Sequence, residues 1–176
     1  MLTWRERTGL VYCLDTFELQ RTFSFTTTRN EGWGIVYDGE HLLVTDGSAN
    51  VHVWDPDTFK EVRRLTVRSA GRPVNALNEL ELVGGELWAN IWCVLVIAKR
   101  SARATRTAAT HTGVCVCRYS NKIARINPNT GDVIGFVDYE RLNPPASRRH
   151  GEDVFNGIAW SNATQTLCVL AVPPPT

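Results

Sequence analysis

The side chains best placed for chemistry lie on one stretch, Leu77 to Trp92. Asn78 offers a primary amide, which donates and accepts hydrogen bonds, and Trp92 offers an indole with one N–H and a broad apolar face. Leu80 and Leu82 alternate with Glu79 and Glu81, the period of a half-buried strand. Gly84-Gly85 is a two-residue hairpin signal, since such turns need positive φ. Leu87, Ala89 and Ile91 then alternate with Trp88, Asn90 and Trp92. Pairing brings the outer ends of two strands together, so Asn78 and Trp92 are placed to share a site. From the residues alone the plainer roles are the expected ones. An asparagine beside a turn satisfies backbone groups, and a tryptophan at a strand end packs a core.

The elements that must position these groups follow a repeat. Gly9 to Cys13 reads as a short strand, and Asp15 opens a turn into another. Four strands come next: Ile35 to Tyr37, His41 to Thr45, Asn50 to Trp54, and Glu61 to Val67. The pattern recurs as the Leu77–Trp92 hairpin, Lys122 to Ile126, and Asp132 to Asp138, and begins again at Phe155. Asp55-Pro-Asp-Thr aligns with Asn127-Pro-Asn-Thr, and Asp15-Thr-Phe-Glu aligns with both in shortened form. Units of about 40–45 residues with four strands each predict an all-β propeller of four-stranded antiparallel blades. A β-sandwich also has strands at short intervals, but it gives no reason for a recurring turn. Residues 1–176 are thus expected to be one partial β-propeller domain of about three blades.

One segment breaks the period. Asp55 and Asn127 are 72 residues apart, and the excess lies between Cys93 and about Ser120. That segment has an apolar opening and a tail rich in small and basic residues without a helical face. At about 93–120 the expectation is a basic, disordered insertion, or a mistranslated intervening sequence. Its arginines are not interleaved with aromatics, as single-strand nucleic-acid binding would favour.

The 176-residue chain is 43% hydrophobic and 21% charged, with a net charge of +1, which is ordinary for a folded domain and gives no global field toward nucleic acid or membrane. Five cysteines suggest no disulfide framework, and Cys115-x-Cys117 lacks the second ligand pair of a zinc site. No run of about twenty apolar residues predicts a transmembrane helix. The start, Met1-Leu-Thr-Trp-Arg, has no leader pattern and reads as the inside of a strand.

Several motifs resemble the plant and bacterial type of glutaminyl-peptide cyclotransferase (glutamine cyclotransferase). They are Leu2-Thr-Trp-Arg, Glu31-Gly-Trp-Gly, Asp46-Gly-Ser, Asp55-Pro-Asp-Thr-Phe, Pro73-Val-Asn-Ala-Leu-Asn-Glu-Leu-Glu, Gly85-Glu-Leu-Trp-Ala-Asn-Ile-Trp, Ile123-Ala-Arg-Ile-Asn-Pro-Asn-Thr-Gly and Asp153-Val-Phe-Asn-Gly-Ile-Ala. The resemblance implies a five-bladed propeller and an aminoacyltransferase that converts N-terminal glutamine of peptides or proteins to pyroglutamate with release of ammonia. It implies Trp4, Trp33 and Trp92 as aromatic walls of the substrate site and Asn78 as the substrate-orienting amide. Trp54, Trp88 and Trp160 are expected to pack blades instead. Neither cofactor nor metal is implied. The expected partners are glutaminyl peptides, with no nucleic acid and no membrane, and the expected state is a monomer. A secretory or periplasmic parent is implied.

The resemblance also sets an expectation of incompleteness. The family's acidic catalytic residue lies in a Phe-Gly-Glu-Gly-type motif upstream of the Leu-Thr-Trp segment, and its Gly-Lys-x-Trp-Pro lysine stands where this chain has Leu170-Ala-Val-Pro-Pro-Pro. No catalytic residue is therefore assigned, Glu79 and Glu81 are not substituted for the missing acid, and this polypeptide alone is expected to be inactive. With its ring open, it would also expose sheet edges that invite aggregation. A non-catalytic propeller that binds peptide ends is the alternative.

Overall fold

The computed structural model describes residues 1–98, 114–141, 144 and 155–171. Among them are fourteen strands and no helix long and apolar enough to cross a membrane. The strands are β1 (Thr8–Tyr12), β2 (Leu19–Ser24), β3 (Gly34–Tyr37), β4 (Leu42–Thr45), β5 (Asn50–Trp54), β6 (Glu61–Thr66), β7 (Arg68–Ser69), β8 (Arg72–Pro73), β9 (Leu77–Val83), β10 (Glu86–Ala98), β11 (Val114–Ile126), β12 (Val133–Asp138), β13 (Phe155–Ser161) and β14 (Thr166–Ala171).

Two complete meanders, β3-β4-β5-β6 and β9-β10-β11-β12, stand between two antiparallel pairs, β1-β2 and β13-β14. A sandwich would pair two sheets. Here sheets follow one another in sequence and each packs on the next, as blades do. One core joins the two complete blades: Leu43, Val51, Val53, Leu65 and Val67 from the first meet Leu77, Leu80, Leu87, Ala89, Ile91, Ala124 and Ile126 from the second. A second core lies on the opposite face of the first blade, where Val44 and Trp54 meet Phe25, with Leu2 and Phe23 against them. Being covered on both faces, β4 and β5 are buried at successive positions instead of alternating. The outermost strand β6 is exposed along Glu61 to Arg64.

The recurring turn has one geometry in three places. The N–H of Phe17, Phe59 and Gly131 each donates to the carbonyl four residues back, on Cys13, Asp55 and Asn127. Each donor residue has positive φ: 56°, 56° and 80°. The turn therefore begins at Cys13 rather than at Asp15, and β1-β2 corresponds to the outer pair of a blade. In two copies a side chain reinforces it, through Asp55 Oδ1 to the Thr58 N–H and hydroxyl and through Asn127 Oδ1 to the Asn129 N–H. A brace recurs too. Arg21 of β2 donates to the Asp57 carbonyl in the next blade's turn, and Arg63 of β6 donates to the Asn129 carbonyl.

The Leu77–Trp92 hairpin forms with the expected register. Glu86 pairs with Val83 across Gly84-Gly85, whose φ values are 58° and 83°. The segment expected as an insertion at about 93–120 is bounded by strand on both sides. The backbone ladder of β10 and β11 continues from Cys93↔Tyr119 to Ala98↔Val114. The remainder of that expected insertion, 99–113, lies outside the described residues, as does 172–176 at the Pro-rich end.

Candidate functional site

The site grows from the junction between the two complete blades. Gly34 opens β3 and presses on β9: a Cβ there would lie 2.4 Å from the Asn78 carbonyl oxygen. Thr45, at the end of β4, ties the strands together. Its hydroxyl accepts from the Gly34 N–H at 3.0 Å and donates to the Asn78 carbonyl at 2.6 Å. Gly47 continues the link, donating its N–H to the Leu77 carbonyl and accepting from the Ala76 N–H. The Ala76 carbonyl in turn accepts from the Trp92 N–H at 2.9 Å. Residues 33, 47, 78 and 92 are thereby fixed relative to one another through backbone bonds and the Thr45 hydroxyl.

On this frame the Trp33 indole lies directly over Gly47. A Cβ at Gly47 would come within 2.6 Å of the ring, and φ there is +75°. Trp33 meets Trp92 edge to face, with centroids 5.4 Å apart and planes at 83°. Together they line a cavity of about 590 Å³ with Arg29, Val74, Ile91, Lys122 and Phe136. That volume is ordinary for a small-molecule pocket.

Asn78 is buried and is not among the residues that line this cavity; its Nδ2 donates to Asn156 Oδ1 of β13. A second bond joins the same strands, from the Trp160 N–H to Glu81 Oε2 at 3.2 Å. Trp4 is 51% exposed, with the Arg5 guanidinium 3.8 Å from the centre of its ring. It reaches the site through Glu31, whose Oε2 accepts from Trp33 Nε1 at 2.6 Å and from Trp4 Nε1 at 2.8 Å. Trp33 and Trp92 therefore touch directly, Trp4 is linked through a carboxylate, and Asn78 is held through β13. The other three tryptophans differ. Trp54 is 1% exposed and in the core, while Trp88 and Trp160 are half-buried and donate to Glu86 and Asn162.

Beneath the Trp33 loop lies a buried polar network. Asp46 is fully buried and accepts from the Arg29 N–H at 2.6 Å, the Ser48 hydroxyl at 2.5 Å and the Ser48 N–H at 3.0 Å. His52 stands between two carboxylates, 3.5 Å from Asp46 and 2.6 Å from Glu61. Burial alone would push the Asp46 carboxyl up. The hydrogen bonds from His52, Ser48 and Arg29 outweigh it and hold that carboxyl far below the usual carboxylate range. Glu79 is shifted the opposite way: burial, and then the charge of Glu81, push it up. No group of three or more His, Cys, Asp or Glu among the described residues is arranged to hold a metal ion.

Sequence reasoning missed Glu31, Asn156 and Gly47. The acid two residues before Trp33 was visible in Glu31-Gly-Trp-Gly. Asn156 was not within reach, because it comes from a strand 78 residues away.

A family model described as glutamine cyclotransferase matches residues 1–112 and 116–171. The glutaminyl-peptide cyclotransferase of Arabidopsis thaliana is 32% identical over 170 residues, covering 96% of this chain and 44% of the plant protein. The crystal structure of Myxococcus xanthus glutaminyl cyclase superposes with a TM-score of 0.73 at 26% identity, covering 97% of this chain and 62% of that one. The chain thus spans less than half of the plant relative and under two thirds of the bacterial structure. The latter likeness agrees with the blade arrangement described above.

Proposed function

Because the chain belongs to the glutamine cyclotransferase family, we propose that it forms the substrate-holding part of a glutaminyl-peptide cyclotransferase site. The observation that carries this reading is the cavity lined by Trp33 and Trp92, whose walls are tied through Thr45 and Gly47 to the strand that carries Asn78. In the reaction, the α-amine of an N-terminal glutamine attacks its own side-chain amide carbon. A C–N bond forms and the carbonyl electrons move onto oxygen. The tetrahedral oxyanion then collapses, the bond to the side-chain nitrogen breaks, and ammonia leaves with a proton that came from the amine. Residues of this chain contribute by orientation: a folded glutaminyl side chain held in the cavity against the two indoles is close to its attacking geometry. The indoles exclude water and present π faces to the α-ammonium before it loses its proton. Asn78, aligned by Asn156, supplies a polar group for the substrate amide or its oxyanion. Proton transfer is assigned to none of the described side chains.

The domain is read as one partial propeller of about three blades acting on peptide ends as a monomer, without nucleic acid or membrane. The net charge of +1 supports the exclusion of nucleic acid. Calorimetric titration with Gln-Phe-amide and with its N-acetylated form tests the reading. The free-amine peptide binds and the blocked one does not; equal binding of the two overturns it. Size-exclusion chromatography with light scattering tests the monomer.

A further inference from the structure

One carboxylate oxygen serves two indoles that come from different elements. Glu31 Oε2 accepts from Trp33 Nε1 at 2.6 Å and from Trp4 Nε1 at 2.8 Å. Trp4 lies before β1, in the pair that corresponds to the outer half of a blade, whereas Trp33 leads into β3. The two meet nowhere else by ring contact among the described residues.

Glu31 is itself held rather than swinging free. The Thr27 hydroxyl donates to the Glu31 carbonyl at 2.9 Å and accepts from the Glu31 N–H at 3.1 Å, and Thr27 is buried. The next residue, Gly32, donates its N–H to the Trp4 carbonyl at 3.0 Å. A Cβ at Gly32 would strike Leu2, the Thr3 carbonyl and Phe25, so a side chain there would push the Trp4 segment away. At the other end of the loop, the Arg29 N–H is anchored on buried Asp46. Backbone on both sides of Glu31 is thus fixed, and its side chain spans the gap between the two rings.

We infer that Glu31 is the positioning residue that couples Trp4 to Trp33, setting the separation and tilt of the two indoles that flank the glutaminyl end of a peptide. Charge-assisted bonds to both N–H edges hold the rings at fixed angles. The arrangement has a chemical consequence. Trp4 is half exposed and its indole N–H bonds Glu31, so the tilt of its ring depends on that carboxylate. Loss of the carboxylate releases Trp4 first and then loosens Trp33, which keeps its seat on Gly47 and its edge contact with Trp92.

This inference rests on the peptide-binding reading above, and the experiment separates the two. The 176-residue chain, wild type and with Glu31→Ala or Glu31→Gln, is labelled with 15N at the indole nitrogens and titrated with Gln-Phe-amide. In Glu31→Ala the Trp4 and Trp33 N–H resonances both move, while those of Trp88 and Trp160, bonded to Glu86 and Asn162, stay in place. Affinity falls about tenfold in Glu31→Ala and less in Glu31→Gln, which keeps an acceptor oxygen without the charge. If Glu31→Ala fails to fold, Glu31→Gln carries the test with the same two resonances. Resonances that do not move together overturn the inference, as does unchanged affinity with both resonances moved. Absence of binding by the wild type refutes the functional reading instead, and the resonances still decide whether Glu31 couples the two indoles.

Discussion

Replacing Gly47 with alanine separates the role of the Trp33 wall from the general cost of a strained turn. Gly47 has φ of +75° and the Trp33 ring 2.6 Å from where a Cβ would stand. Gly71 has nearly the same φ, +77°, with nothing within 4 Å. Both alanine variants therefore suffer the same left-handed backbone penalty, about 1–2 kcal/mol. Only Gly47→Ala also drives out a ring. Ordinary carbon contacts lie at about 3.5–4.0 Å, so the indole must retreat by about 1 Å. That movement breaks its edge-to-face contact with Trp92, worth about 0.5–1.5 kcal/mol. Urea denaturation is expected to show Gly47→Ala less stable than Gly71→Ala by about 1 kcal/mol. Titration with Gln-Phe-amide is expected to show a loss of about tenfold or more for Gly47→Ala, since a wall misplaced by 1 Å no longer holds the reacting geometry. Gly71→Ala should bind as the wild type does. If the two variants bind alike, Trp33 is not a wall of the peptide site and the reasoning fails.

Further expectations follow from the charges near the site. Asp46→Asn should destabilise the fold by about 2–3 kcal/mol at neutral pH, because a fully buried carboxylate loses charge while its donors remain. The sign with pH is definite: the Asp46 carboxyl is depressed on folding from an ordinary value of 3.8, so its contribution is present above that value and is lost as pH falls through the folded one. The gap between wild type and Asp46→Asn in urea midpoints should close on acidification below about pH 4. Glu79 is raised by burial, so its ionisation opposes folding as pH rises. Glu79→Gln should accordingly raise the melting temperature at pH 7 and lose that advantage below about pH 4 in differential scanning calorimetry; an unchanged melting temperature at pH 7 would mean the burial is relieved in solution.

Much of the fold was legible because it rests on local signals. Alternation along Leu77 to Trp92 and the Gly84-Gly85 pair specify a hairpin without reference to any other part of the chain. The Asp/Asn-Pro-x-Thr turns were legible as a repeat, but their start was not. The first copy begins with Cys13, whose thiol stands where the others have a carboxylate or amide oxygen, and the shared backbone geometry reveals it. In the segment after Trp92, the apolar run continues the backbone of β10, and the small and basic residues at 99–113 lie outside the described residues. In the site, Trp33 and Trp92 were named through the motif resemblance, since residue type alone favoured packing roles. The seat of Trp33 on Gly47 depends on the fold of its own meander, and the alignment of Asn78 by Asn156 on sheets meeting across 78 residues, neither of which a local pattern encodes.

The central claim is that Trp33 and Trp92 grip an N-terminal glutamine beside Asn78. The most direct measurement is calorimetric titration of Gln-Phe-amide and pyroglutamyl-Phe-amide into the wild-type chain and into Trp92→Ala. The account predicts that the glutaminyl peptide binds more tightly than its cyclised product, and that Trp92→Ala weakens the glutaminyl peptide by about tenfold or more. Equal affinity for the two peptides, or unaltered binding by Trp92→Ala, would contradict it.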